Sequence, residues 1–135
     1  MPDRFPAELP MQFATTSDGV RIAFGVVGEG PTCIYARSPH RNHTQLAWEM
    51  PILRAGNRLL AERLRIIMFD SRNTGLSQWT DEGFSVEAGM RDLDAVISAT
   101  ATGPVSLLCG WGAAKAAVPY AASNPERVSP SVLSW

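Results

Sequence analysis

Three short, unbroken apolar runs limit most tightly how this chain can fold. Thr32 to Ala36, Ile66 to Phe69 and Val105 to Cys109 are of strand length, and their lack of polar alternation suits strands buried on both faces. Stretches of helical period lie between them. In residues 45–64, Leu53, Leu60 and Leu64 fall near one face while Glu62 and Arg63 are available for solvent, and Pro51 suits a first turn or marks a kink. In residues 86–99, Val86, Met90, Leu93 and Ile97 repeat at helical spacing behind Ser85, a good N-cap. Buried strands alternating with helices predict a mostly parallel sheet covered by helices and joined by right-handed crossovers.

The flanks of this pattern add three elements. Residues 11–16 and 20–27 alternate in part and are separated by Ser17-Asp18-Gly19, which predicts a β-hairpin, and Gly28-Glu29-Gly30-Pro31 makes the next turn. Residues 112–122 form an alanine-rich helix ending near Asn124-Pro125, whose small side chains allow close packing on a sheet. Residues 128–133 are a last strand, and Pro130, which has no N–H to donate, argues for an edge position. With 45% apolar and 8% aromatic residues and neither repeat nor linker, the sequence reads as one domain over residues 1–135.

Charge excludes some functions. Twelve basic and 13 acidic residues give a net charge of -1 without a run of either sign, so neither nucleic acid nor an anionic membrane is an expected partner. The start, Met-Pro-Asp-Arg-Phe-Pro, lacks the basic-then-apolar pattern of a secretion signal, and no apolar stretch approaches the roughly 18 residues that span a bilayer, so a cytoplasmic location is expected. Cys33 and Cys109, both inside apolar runs, read as buried thiols rather than a disulfide or metal site.

Several blocks resemble the α/β-hydrolase family, particularly bacterial members that occur alone or fused to regulatory or cyclase domains. Phe13-Ala14-Thr15-Thr16-Ser17-Asp18-Gly19-Val20-Arg21-Ile22-Ala23 is similar to that family's first hairpin, and Arg65 to Ser77, with Asp70, Arg72, Gly75 and Ser77, to its strand-plus-loop signature. Phe84-Ser85 with Asp92-Leu93 fits the following helix, and Tyr120 to Val128 the end of the helix after the nucleophile. The resemblance implies the N-terminal half of an α/β-hydrolase-like fold, without the last strands, lid and closing helix. It also implies that the family's catalytic acid and histidine, which follow the nucleophile in chain order, fall outside these residues.

The candidate chemistry is defined by that resemblance. The family's nucleophile stands at the centre of G-x-S-x-G, and the matching turn here is Cys109-Gly110-Trp111-Gly112-Ala113. An indole offers only a hydrogen-bond donor, so no catalytic residue is assigned, and Trp111 is expected to fill the cavity where a substrate would bind. Cys109, two residues earlier in the strand, is expected to remain a protonated thiol. The loop Arg37-Ser38-Pro39-His40-Arg41-Asn42-His43 matches the oxyanion-type loop through Arg37, Ser38 and His40 but has no glycine. Arg37 and Arg41 could hold an anion, whereas His40 and His43 read as solvated loop residues lacking a third metal ligand. Asp70 and Arg72 are expected to tie their turn together, and Asp92 and Asp94 to lie on a solvated helix face. No metal or cofactor is expected.

The leading expectation is a non-catalytic module acting in assembly, dimerisation or regulatory binding. An open sixth-strand edge would be covered by a second copy or another protein, with Val132, Leu133 and Trp135 in contact. The alternatives are a fragment or subunit of an esterase-type hydrolase completed by another chain, and a remnant without a selected role.

Overall fold

A computed structural model describes residues 3–110 and 112–134, with side chains up to Ser129. In chain order the elements are β1 (Met11–Thr15), β2 (Arg21–Val27), β3 (Thr32–Ala36), α1 (Thr44–Glu49), α2 (Pro51–Ala61), β4 (Arg65–Phe69), α3 (Val86–Thr100), β5 (Val105–Cys109), α4 (Ala114–Ser123) and β6 (Val128–Ser134). All six strands join one sheet in the order β1-β2-β4-β3-β5-β6. The hairpin pairs antiparallel, β2 meets β4 antiparallel, and the β4-β3-β5-β6 side is parallel throughout. The three apolar runs of the sequence are thus the central strands, the positions where both faces are covered.

Alternation along the strands sends side chains to two cores. Ile34, Ile67, Leu107 and Cys109 face α3 and α4 with Leu93, Val96, Ile97, Ala117 and Tyr120. On the opposite face Ile66 and Met68 pack with Leu9, Trp48 and Ala61 beneath α1 and α2. The expected single helix over 45–64 is therefore two helices. Met50 adopts an extended conformation between them, and Pro51 opens α2, where a missing N–H costs nothing. Leu53, Leu60 and Leu64 are only partly buried, while Asn57 and Ala61 are the residues of α2 that are fully covered.

In α3, Ser85 caps as expected, its hydroxyl accepting from the Ala88 N–H at 3.0 Å. The small residues of α4 serve a second contact besides the sheet. A Cβ on Gly89 would stand 2.8 Å from the Ala116 Cβ and 3.0 Å from the Phe84 ring, so the approach of α3 to α4 requires glycine there. Strand β6 lies at the edge, and its register with β5 shifts between the Val105–Val128 and Leu107–Val132 pairs, the segment that contains Pro130. Among the described residues no helix is long and apolar enough to cross a membrane.

Candidate functional site

The parallel strands β3, β4 and β5 deliver three loops to one end of the sheet. The loop after β4 is a closed polar lattice. Asp70 is fully buried, and its carboxylate accepts the Thr44 N–H at 2.8 Å and the Leu76 N–H at 2.9 Å, tying the start of α1 to the turn. Gly75 (φ +47°) brings its backbone so close that a Cβ would fall 2.2 Å from the Asp70 carboxylate. Arg72, 2% exposed, donates from Nε to Asp92 at 2.9 Å and from its terminal nitrogens to Asp18 at 2.8 and 3.0 Å. Asp70 and Arg72 therefore fasten the turn, yet each does so with other partners and not with the other.

Two sequence readings are corrected here. Asp92 is not on a solvated face; it is fully buried and receives both the backbone N–H and the guanidinium of Arg72. Burial pushes its carboxyl above the ordinary value against the pull of Arg72, while Asp18 is held well below it by the Arg72 hydrogen bonds and the Thr16 hydroxyl. Asp94 is half-exposed but occupied, accepting from the Tyr120 hydroxyl at 2.8 Å and from Arg127. The cause is tertiary: α3 packs beside the hairpin turn that carries Asp18 and beside α4, which turns two helix positions toward cations. The loop histidines are also engaged. His43 caps α1 by accepting the Leu46 N–H, and the His40 ring meets Phe84 edge-on at 5.3 Å. Among the described residues no group of three or more His, Cys, Asp or Glu is arranged to hold a metal ion.

The second loop is the strand-to-helix turn after β5. Gly110 donates to the Ala36 carbonyl at 2.7 Å, Gly112 has φ +83°, and α4 begins at Ala114. This is the sharp, glycine-flanked connection that presents a nucleophile in hydrolytic enzymes of strand–turn–helix type. The residue between the two glycines is tryptophan by sequence. The expectation that Trp111 fills the adjoining cavity falls on a residue outside the described set. Cys109 is fully buried, and desolvation, with the neighbouring Cys33 adding, pushes its thiol up to about 11. It is a thiol at neutral pH, not a nucleophile.

The third loop, after β3, carries Arg37, Ser38, His40 and Arg41. Arg37 lies 5.9 Å from the Tyr35 ring centroid, and its Nη1 is buried without a hydrogen-bond partner among the described residues. It borders a cavity of about 20 Å³, room for about one water, with Phe84 and Ser71 in the same wall. Beyond it a groove of about 800 Å³ is lined by Ser38, His40, Arg41, Phe84, Ser85, Val86, Gly112 and Lys115. Val86, counted by its spacing with the core residues of α3, is 36% exposed and lines this groove. Lys115 escaped the sequence reading because only the folded turn brings the start of α4 to the groove that Arg41 also lines.

Neither a protein-family model nor a curated protein matches the sequence. Solved structures do. An α/β hydrolase from Sphaerobacter thermophilus is 28% identical, with a TM-score of 0.68 over 87% of this chain and 42% of its own. A hydrolase from Pseudomonas aeruginosa is 21% identical with a TM-score of 0.77 over 91% of this chain and 44% of its own. E-2-(acetamidomethylene)succinate hydrolase is 22% identical with a TM-score of 0.75 over 92% and 43%. The chain thus spans less than half the length of the hydrolases it matches, and it has the N-terminal part of the α/β-hydrolase fold.

Proposed function

We propose that this α/β-hydrolase-like domain, one unit over residues 1–135, is a non-catalytic module that works by binding and assembly. The observation that carries the reading is the turn after β5: Gly110 donates to Ala36, Gly112 has φ +83° and α4 begins at Ala114, yet the residue between the two glycines is a tryptophan by sequence, and sliding the alignment by one places only Gly110 or Gly112 there. The buried, protonated Cys109 offers no substitute. Assembly is supported by β6, which pairs with β5 through Val132 and Leu133 and has no strand on its other side among the described residues. A second copy pairing there, with Val132, Leu133 and Trp135 in contact, makes a homodimer. A cytoplasmic setting, where buried thiols stay reduced, is compatible with this role.

Hydrolysis of a p-nitrophenyl ester, measured for the wild type and for Trp111→Ser, tests the catalytic half of the proposal. The expected result is no turnover above buffer in the wild type; turnover there would overturn it. Sedimentation at low micromolar concentration tests the assembly half: a dimer is expected, and a stable monomer removes it.

A second reading has its own support. The hydrolases matched are more than twice as long as the aligned part, so this domain could be one portion of a hydrolytic enzyme whose remaining groups come from another chain. It predicts that a complementing chain restores ester turnover to the wild type, which the tryptophan at the turn argues against.

A further inference from the structure

We infer that the groove between the β3–α1 loop and the starts of α3 and α4 is a binding site for an organic carboxylate with an apolar body, gripped by Arg41 and Lys115. The inference goes beyond the non-catalytic reading and does not depend on it, because it concerns ligand affinity and not turnover.

The charge around the groove is one-sided. Arg41 and Lys115 line it together with His40, and among the described residues no carboxylate does. Among the described residues carboxylates pair with Arg54 and Arg58 (Asp3), Arg72 (Asp18 and Asp92), Arg91 (Asp18) and Arg127 (Asp94), but not with Arg4, Arg21, Arg63 or Arg65. Among the described residues Arg37, Arg41 and Lys115 have no such partner. Lys115, the only lysine in the sequence, is the second residue of α4. A cation at a helix start opposes the positive end of the helix dipole, and α4 has neither an acidic residue in its first turn nor a side-chain cap. The position is unfavourable for the helix alone and becomes favourable when an anion sits between the helix start and Arg41.

An independent observation points the same way. The buried Nη1 of Arg37 lacks an acceptor, in a cavity that shares Phe84 with the groove. A buried, unsatisfied guanidinium nitrogen is costly, and an oxygen of a bound anion or its water would complete it. The remaining walls set the rest of the ligand. Phe84 and Val86 present apolar surface, and about 800 Å³ falls in the range of small-molecule pockets. A bare inorganic anion would leave that surface wet, whereas a carboxylate on an apolar body uses both parts.

Because Lys115 is the sole lysine, reductive ¹³C-methylation of the full chain gives one side-chain reporter in the groove besides the terminal amine. Octanoate is expected to shift that resonance saturably, while octanol, with the same tail and no charge, shifts it weakly. Arg41→Gln, followed by the same reporter, and Lys115→Gln, followed by calorimetry, should each weaken octanoate about tenfold, as the loss of one charge-assisted hydrogen bond does. Both side chains are exposed, so neither change threatens folding. Equal affinity for octanol, or unchanged octanoate affinity in the variants, overturns the inference, and neither result bears on ester turnover.

Discussion

Two loops at the same end of the sheet, one after β4 and one after β3, use their charges in opposite ways. Around Asp70 and Arg72 every buried charge is matched: two N–H groups on one carboxylate, two carboxylates on one guanidinium. Around Arg37 and Arg41, among the described residues, no carboxylate pairs with either cation, and one buried nitrogen has no acceptor. The difference separates residues that hold the fold from residues left available for something outside it. A buried polar group adds to stability only when its partners are present, so the first loop holds the fold with its own residues, whereas the buried Arg37 nitrogen of the second adds no such stability.

The comparison can be broken most forcefully at Arg72. Arg72→Met leaves Asp92 charged and uncompensated in the interior, and urea unfolding should show a loss of about 3–5 kcal/mol. Adding Asp92→Leu should return much of it, because the stranded charge is then gone; a double variant as unstable as the single would mean that Arg72 acts through packing alone. Asp70→Ala comes next. It strands the Thr44 and Leu76 N–H groups, and a loss of about 2–4 kcal/mol is expected by the same measurement.

A smaller effect is legible in pH. Asp18 has a folded-state pKa below its unfolded value, so its contribution is present above the unfolded pKa and fades as pH falls toward the folded one. The stability difference between wild type and Asp18→Asn should therefore shrink below about pH 5; a constant difference would show that the Arg72 contact does not depend on the carboxylate's charge. Asp92, shifted upward, acts with the opposite sign, which is why the difference is taken at Asp18 alone. The smallest change is expected in the second loop. Arg37→Met, which removes an unsatisfied donor, should alter stability by no more than about 0.5 kcal/mol or raise it slightly. A loss comparable to that at Arg72 would erase the distinction between the loops.

Much of the fold was legible in the sequence for a local reason. Runs such as Ile66 to Phe69 can bury both faces only in a central strand, Ser85 offers a cap where the helical period begins, and Pro130 cannot complete an interior ladder. The break at Met50-Pro51 was visible only as an option, since proline suits a helix start as well as a kink. Asp92 was misread because α3 by itself gives an aspartate no reason to be buried. That reason is Arg72, brought in from the preceding loop, with Asp18 from the hairpin on its other side.

The sequence by itself determined the order of elements, the edge character of the last strand and the identity of the residue at the strand-to-helix turn, since each follows from side-chain chemistry within a few positions. The tertiary structure alone decided which charges meet. Asp18, Arg72 and Asp92 are far apart along the chain and adjacent in space, and Arg41 and Lys115, equally far apart in sequence, line one groove. Pairing energy depends on distance and burial, quantities that exist only once the sheet order β1-β2-β4-β3-β5-β6 has folded those segments together.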